Sequence, residues 1–301
     1  MAPRMTVYFI VEPPSYQIMA CYLAASLREQ FAEGELALVG YCPAPRLGEV
    51  SSDVRQVLDR LGCDLRPFEV EGRFDPPYPH GNKLLATLEK RDTPFSCFMD
   101  SDVLCIRPNV VEALARPGHV SLSKAASMNW APQTIWDDIY RVCGMEIPEE
   151  RFKLMKQKRG EERVPYFSSG LFCFPEDHRS AEGLSFPEVW MQVAQEIDAA
   201  PEIPKKRPYL DQMSMPLAIR RAGLAWNILP DEQHWILGGR SRGEPLPADR
   251  EIFTVHYRNL EVLREVGLVR PAKNYLEKWA GVRRIGQIKN AAPAAAGEAL
   301  E

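Results

Sequence analysis

The sequence predicts an α/β protein built on a doubly wound, largely parallel sheet. In the first third of the chain, short runs rich in β-branched and aromatic residues alternate with stretches whose apolar residues recur near a helical period. Pro-, Gly- and Ser-containing turns separate them. No internal repeat or clear linker interrupts the chain before an Ala-rich end.

Met5-Thr6-Val7-Tyr8-Phe9-Ile10-Val11 ends at Glu12-Pro13-Pro14 and reads as a first strand and its loop. Ser15 is placed to cap a helix running to about Phe31, with Ile18, Cys21, Tyr22, Ala25 and Leu27 on one face. A second strand, Leu36 to Cys42, leads to a helix from Val50 to Leu61 and a third strand from Asp64 to Val70. The Pro-rich loop Asp75 to Pro79 opens into a helix from Asn82 to Lys90, which delivers the chain to an apolar strand ending at Asp100. Right-handed crossovers make these strands parallel. Beyond Asp102 the pattern is mixed: a strand at Val120 to Ser123, a helix from Pro132 to Val142, a basic connector from Lys153 to Arg163 and a strand from Tyr166 to Phe174. Helices from Ser185 to Ile197 and Tyr209 to Arg221 follow, then a strand at Phe253 to Tyr257 and a short helix after Pro271 that reaches Trp279. The tail 291–301 has no apolar face and reads as disordered.

With 45% hydrophobic and 26% charged residues, the chain has the make-up of a soluble globular protein. A net charge of -4 gives no global drive toward nucleic acid, so none is expected as a partner; a bound phosphate must be met by local cations, a metal or helix amino ends. The seven cysteines are dispersed in mostly apolar runs with no close pair at metal-ligand spacing. They fit reduced core thiols and a cytoplasmic location. The amino end lacks a signal-peptide pattern, and Tyr16 to Leu27 is too short and too polar for a transmembrane segment.

The sharpest feature is Asp100-Ser101-Asp102. A buried strand has no reason to end on two carboxylates one residue apart unless something cationic meets them. In an open parallel sheet the carboxyl ends of the strands face the ligand crevice, and hard oxygen ligands suit Mn²⁺ or Mg²⁺. Taken alone, the triplet reads more readily as a strand followed by an Asx-rich turn.

The order of several short motifs resembles the GT-A fold glycosyltransferases and, more loosely, their family 8. These are the first strand, the helix opening with Asn82-Lys83, the Asp100-Ser101-Asp102 triplet, Phe167-Ser168-Ser169-Gly170, Leu210-Asp211-Gln212 and the late His256, together spanning most of Met5 to Trp279. The resemblance implies a Rossmann-like GT-A fold, with a mixed, mostly parallel central sheet flanked by helices in a single compact domain over 1–290. Its nucleotide-binding half would cover about 1–105 and its acceptor and sugar half about 106–290. The implied reaction is transfer of a hexose-like sugar from a nucleotide diphosphate donor, a UDP-sugar, to a glycan, lipid-linked or small-molecule acceptor.

In that pattern Asp100, Asp102 and His256 would hold Mn²⁺ or Mg²⁺. Phe9, Ile10, Val11 and Glu12 would line the base pocket, and Lys83 and Ser101 would meet the donor. Ser168, Ser169, Gly170, Asp211 and Gln212 would frame the sugar, with Asp211 and Gln212 as the catalytic candidates. Two positions depart from the family. Ser168 stands where family 8 members typically carry the asparagine of Asn-Ser-Gly, whose amide would contact the donor sugar. The family's His-x-x-Gly-x-x-Lys context is replaced after His256 by Tyr257-Arg258-Asn259-Leu260, leaving Arg258 as a substitute for the lysine that contacts diphosphate.

Plainer readings stand beside these. Lys83 reads also as a solvated first-turn lysine, Asp211 as a helix N-terminal acid, and His256 as an imidazole hydrogen-bonded near a sheet end. Trp130, Trp136, Trp226 and Trp235, with His234, either hold an acceptor sugar or belong to the core, the commoner role. Arg240 and Arg242 either clamp phosphate or are solvated, and the Lys153 to Arg163 run is a mobile exposed segment or a lid. Two other functions remain open. A sugar-nucleotide nucleotidyltransferase or pyrophosphorylase usually needs a Gly-rich loop where this chain has Glu12-Pro13-Pro14-Ser15. A non-catalytic carbohydrate-binding protein is compatible with the departures at Ser168 and after His256.

Overall fold

The leading strands pair as their alternation with helices requires. In the computed structural model, which describes residues 2–156, 161–207, 209–238 and 242–286, β1 (Met5–Ile10), β2 (Leu36–Pro43), β3 (Cys63–Phe68) and β4 (Phe95–Met99) are mutually parallel. The crossovers carry α1 (Tyr16–Gln30), α2 (Ser52–Arg60) and α3 (Asn82–Thr87). The third helix is shorter than its sequence pattern suggests because the buried Arg91 takes its last carbonyls, Ala86 at 3.1 Å and Thr87 at 2.8 Å.

After β4 come β5 (Val103–Cys105), α4 (Val111–Leu114), β6 (His119–Lys124), α5 (Ile135–Val142) and β7 (Phe167–Pro175). Next are α6 (Phe186–Ala199), α7 (Leu210–Arg221), β8 (Ala225–Ile228), β9 (Trp235–Ile236), β10 (Thr254–His256), α8 (Leu260–Glu265) and α9 (Val269–Ala280). The main sheet has the order β3-β2-β1-β4-β7-β6-β8, in which only β7 is reversed. A small sheet, β5-β10-β9, closes over the carboxyl end of β4. The mixed pattern after Asp102 is therefore one reversed strand and one added sheet.

Strand periodicity divides the core between the two faces of the main sheet. Met5, Val7 and Phe9 join one buried cluster with α1 and α9, while Tyr8, Phe98, Phe172 and Phe174 join another with α3, α6 and α7. Fully burying one such side chain stabilises by roughly 1.5–3 kcal/mol.

The helix ends show where local chemistry acts. Ser51 caps α2, accepting from Val54 N–H at 3.3 Å, and Ser185 with Glu188 forms a capping box on α6. Ser15 does not cap α1: its own backbone is already helical, and the start is held by Gln17, whose N–H reaches the Glu12 carbonyl at 3.2 Å. The last helix begins before Pro271 because the third helical position needs no N–H partner inside the helix. All seven cysteines are free and buried. Among the described residues no helix is long and apolar enough to cross a membrane. The expected tail 291–301 lies outside the described residues.

Candidate functional site

The turn after β4 is pinned from two sides. Asp100 N–H donates to the Gly170 carbonyl of β7 at 2.8 Å, and the Asp102 carbonyl accepts from Tyr257 N–H, just past β10, at 2.9 Å. These bonds bring His256 over the triplet, with Nε2 3.2 Å from Asp102 and 3.9 Å from Asp100. One ligand atom from each of Asp100, Asp102 and His256 lies within 4.8 Å of the others.

Gly170 makes room for this cluster. A Cβ at that position would sit 2.8 Å from Asp100 Oδ2 and 3.0 Å from both His234 Nε2 and His256 Cε1. Two carboxylate oxygens and an imidazole nitrogen around such a cradle form a donor set that suits a divalent cation. The electrostatics favour a cation too. Burial pushes the Asp100 carboxyl above its ordinary value, and the charge of Asp102 adds to this against the pull of Lys83. Burial acts upward on Asp102 as well, yet His256 brings it below its ordinary value. Burial acts downward on His256, and Asp102 outweighs it and leaves the imidazole raised.

Lys83, in the first turn of α3, is not a solvated lysine. Its Nζ lies 3.0 Å from Asp100 Oδ1, 3.2 Å from Ser169 Oγ and 3.5 Å from Asp211 Oδ2, over the face of Phe98. Burial pushes its ammonium down, but Asp100 and then Asp211 more than offset this. Asp211 is only 3% exposed in the first turn of α7, and it accepts from Tyr78 at 3.3 Å and from the Ser169 hydroxyl. A carboxylate so enclosed does more than favour a helix dipole.

Two cavities of about 460 Å³ each meet at Lys83, Asp100, Tyr209 and Gln212. Ile10, Glu12, Tyr16 and Arg46 wall the first; Glu12 is held between Arg46 at 2.6 Å and Asn82 at 2.9 Å. Here the expectation for the whole Phe9 to Glu12 segment is corrected. The side chains of Phe9 and Val11 lie fully in the core beneath the cleft, since successive strand residues face opposite ways, which leaves Ile10 and Glu12 on the wall. Ser101 borders the same cavity and ties the triplet to β1 by donating its hydroxyl to the Ile10 carbonyl.

The second cavity is lined by Ser168, Ser169, Gly170, His256, Arg258 and Trp130. Trp130 stacks on Tyr209 with ring centroids 4.5 Å apart. Arg258 adopts a left-handed backbone with φ 63°, unusual for a residue with a side chain. Sequence reasoning missed Tyr16, Arg46, Tyr78 and Tyr209. Asn82 carried a signal, its place beside Lys83, but the others sit in loops or helix starts with no pattern that marks them.

The remaining aromatic and basic candidates separate. Trp136 is fully buried in the core and Trp226 packs against Phe167, whereas Trp235 lies in β9 under Arg250. His234 is not on an acceptor loop; it is fully buried behind Gly170, its ring 5.0 Å from that of His256, and burial keeps its pKa well below the ordinary value. Arg242 is paired with Glu265 at 2.8 Å and Glu261 at 3.5 Å, so it is committed away from phosphate. Arg240 lies outside the described residues, as do residues 157–160 of the basic connector. The flanks of that connector are anchored: Phe152 and Arg163 exchange backbone hydrogen bonds, and Lys156 Nζ donates to the Gly238 carbonyl at 2.9 Å.

A family model described as the Rhodobacterales glycosyltransferase domain matches residues 7–223. No curated protein matches the chain. The fold is similar to that of a crystal structure of the galactosyltransferase LgtC in complex with donor and acceptor sugar analogues, with a TM-score of 0.57 and 13% identity over 96% of this chain and 98% of that one. It is also similar to an active-site mutant of LgtC in which a glutamine is replaced by glutamate, with a TM-score of 0.54 and 11% identity over 89% of this chain and 96% of that one.

Proposed function

The chain belongs to the Rhodobacterales glycosyltransferase domain family and is a glycosyltransferase of GT-A fold, and from that premise we propose that it transfers a sugar from a UDP-sugar with the help of Mn²⁺ or Mg²⁺. One observation carries this reading: Asp100, Asp102 and His256 converge where the two cavities of about 460 Å³ meet. These residues would hold the ion, which when bound offsets the charge that develops on the departing diphosphate. Membership of this family sets aside the nucleotidyltransferase and the non-catalytic readings.

The chain's own groups then take distinct roles. The first cavity receives the nucleoside between Ile10, Glu12 and Tyr16, so the half over about 1–105 binds the nucleotide. The second receives the sugar and the acceptor, supplied mainly by the half over about 106–290. Lys83 adds a fixed cation beside the diphosphate, and Arg258, two residues after His256 and lining the same cavity, serves in place of the family's lysine. Asp211, held by Tyr78, Ser169 and Lys83, accepts hydrogen bonds from sugar hydroxyls. Gln212 reaches both cavities and stands at the reacting carbon. The stacked Trp130 and Tyr209 offer a flat surface to the C–H face of an acceptor glycan, lipid-linked sugar or small glycoside. Seven free buried cysteines support a reducing, cytoplasmic setting.

Calorimetry with UDP in the presence and absence of Mn²⁺ tests the proposal. The wild-type protein is expected to bind UDP in a metal-dependent way, and Asp102→Ala to fold yet lose that dependence. Undiminished Mn²⁺-dependent binding by Asp102→Ala would sink the assignment.

A further inference from the structure

Resting on the sugar-site reading above, we propose that His234 fixes the Ser168 hydroxyl as a hydrogen-bond donor aimed into the second cavity, the service an asparagine amide would otherwise give to the bound sugar. The geometry gives each proton one place to go. His234 is fully buried, with Nε2 3.3 Å from Ser168 Oγ, and its Nδ1 has no hydrogen-bond partner among the described residues. A neutral imidazole carries one N–H. On Nδ1 it would be a buried donor with nothing to accept it; on Nε2 it is satisfied by Ser168, and only a lone pair is left bare, the less costly orphan. Nε2–H therefore donates to the serine.

The same oxygen also accepts the Gly170 N–H at 3.3 Å. A hydroxyl has two lone pairs and one hydrogen, so with both lone pairs taken the hydrogen must point elsewhere. Ser168 lines the cavity shared by Gln212 and Arg258, and that is the open direction. His234 is thus a positioning residue that acts on the sugar through Ser168.

The test has a ligand-free arm and a binding arm. Imidazole ¹⁵N NMR of the full chain should show His234 with its proton on Nε2, and a proton on Nδ1 overturns the proposal. In calorimetry with Mn²⁺, Ser168→Ala and His234→Phe should each weaken UDP-glucose or UDP-galactose binding by about tenfold, the scale of one hydrogen bond, while leaving UDP itself unchanged. The double variant should be no worse than either single one, and Ser168→Asn should restore binding by returning an amide donor. Additive losses, equal losses for UDP, or a Ser168→Ala protein that binds both UDP-sugars like wild type each overturn it. Ser168→Ala carries the test if His234→Phe does not fold. A wild-type protein that binds neither UDP-sugar would sink the nucleotide-sugar reading instead, and the NMR arm would still decide the direction of the hydroxyl.

Discussion

The two faces of the central sheet are filled by different chemistry. On one face Met5, Val7, Cys97, Met99, Leu171 and Cys173 pack small or flexible side chains, with Phe9 beside them, against α1 and α9. On the other Tyr8, Phe98, Phe172 and Phe174 meet Phe186 and Trp190, with Phe98 and Phe172 stacked at 5.2 Å and Phe172 edge-on to Trp190 at 5.0 Å. The helices of the aromatic face carry Lys83, Asp211 and Gln212. Rings have few rotamers and fill space as rigid plates, so they fix the helices above them more closely than aliphatic chains do. Lys83, Asp211 and Gln212 thus sit over the ring-filled half of the core.

The largest effect should come from Trp190→Ala. This indole is fully buried and donates to Ser214 at 2.9 Å, on the same helix as Asp211 and three residues further on. Its loss should cost about 3–5 kcal/mol by urea denaturation, and Mn²⁺-dependent UDP binding should weaken as α7 shifts. Leu23→Ala on the aliphatic face, also fully buried, should cost about 2–5 kcal/mol and leave binding intact under conditions where the protein is folded. Equal effects on binding would erase the distinction between the faces.

The sequence made the first half of this arrangement legible because each of β1 to β4 is a run of five to eight residues joined to its neighbour by a helix. The strands it concealed, β5, β8 and β9, have only two to four residues, too few for any period to show, and the short helices α4 and α8 went unread as well. The site divides in the same way. Asp100 and Asp102 announce themselves as charge at the end of an apolar strand, whereas the place of His234 depends on a contact with Ser168, 66 positions away. Glu12 was legible as a loop residue but not as a group clamped by Arg46, because that clamp also forms only through the fold.

A smaller but more local effect belongs to Gly170, where β7 runs past the end of β4 and both faces give way to the site. Gly170→Ala would press a methyl carbon against Asp100 and the two histidines. Overpacking of this kind costs about 1–3 kcal/mol, and much of it should fall on the metal-ligand positions. Metal-dependent UDP affinity should drop by roughly tenfold, which corresponds to about 1.4 kcal/mol. Gly48→Ala is the control, since a Cβ there meets nothing within 4 Å, and it should bind like wild type.

The smallest effects concern helix starts, one on each face. On α6 the Ser185 hydroxyl accepts the Glu188 N–H at 3.4 Å while the Glu188 carboxylate accepts the Ser185 N–H at 2.8 Å. Ser185→Ala removes half of that exchange and should cost about 1 kcal/mol in urea denaturation. On α1, Ser15 has no such bond, because its backbone is already inside the helical region and its side chain cannot reach back over the first turn. Ser15→Ala should therefore stay within about 0.5 kcal/mol of wild type. A cost at Ser15 equal to that at Ser185 would mean that the hydroxyl caps α1 after all, and that the start of this helix is set by its own sequence rather than by the Glu12 and Gln17 contacts behind it.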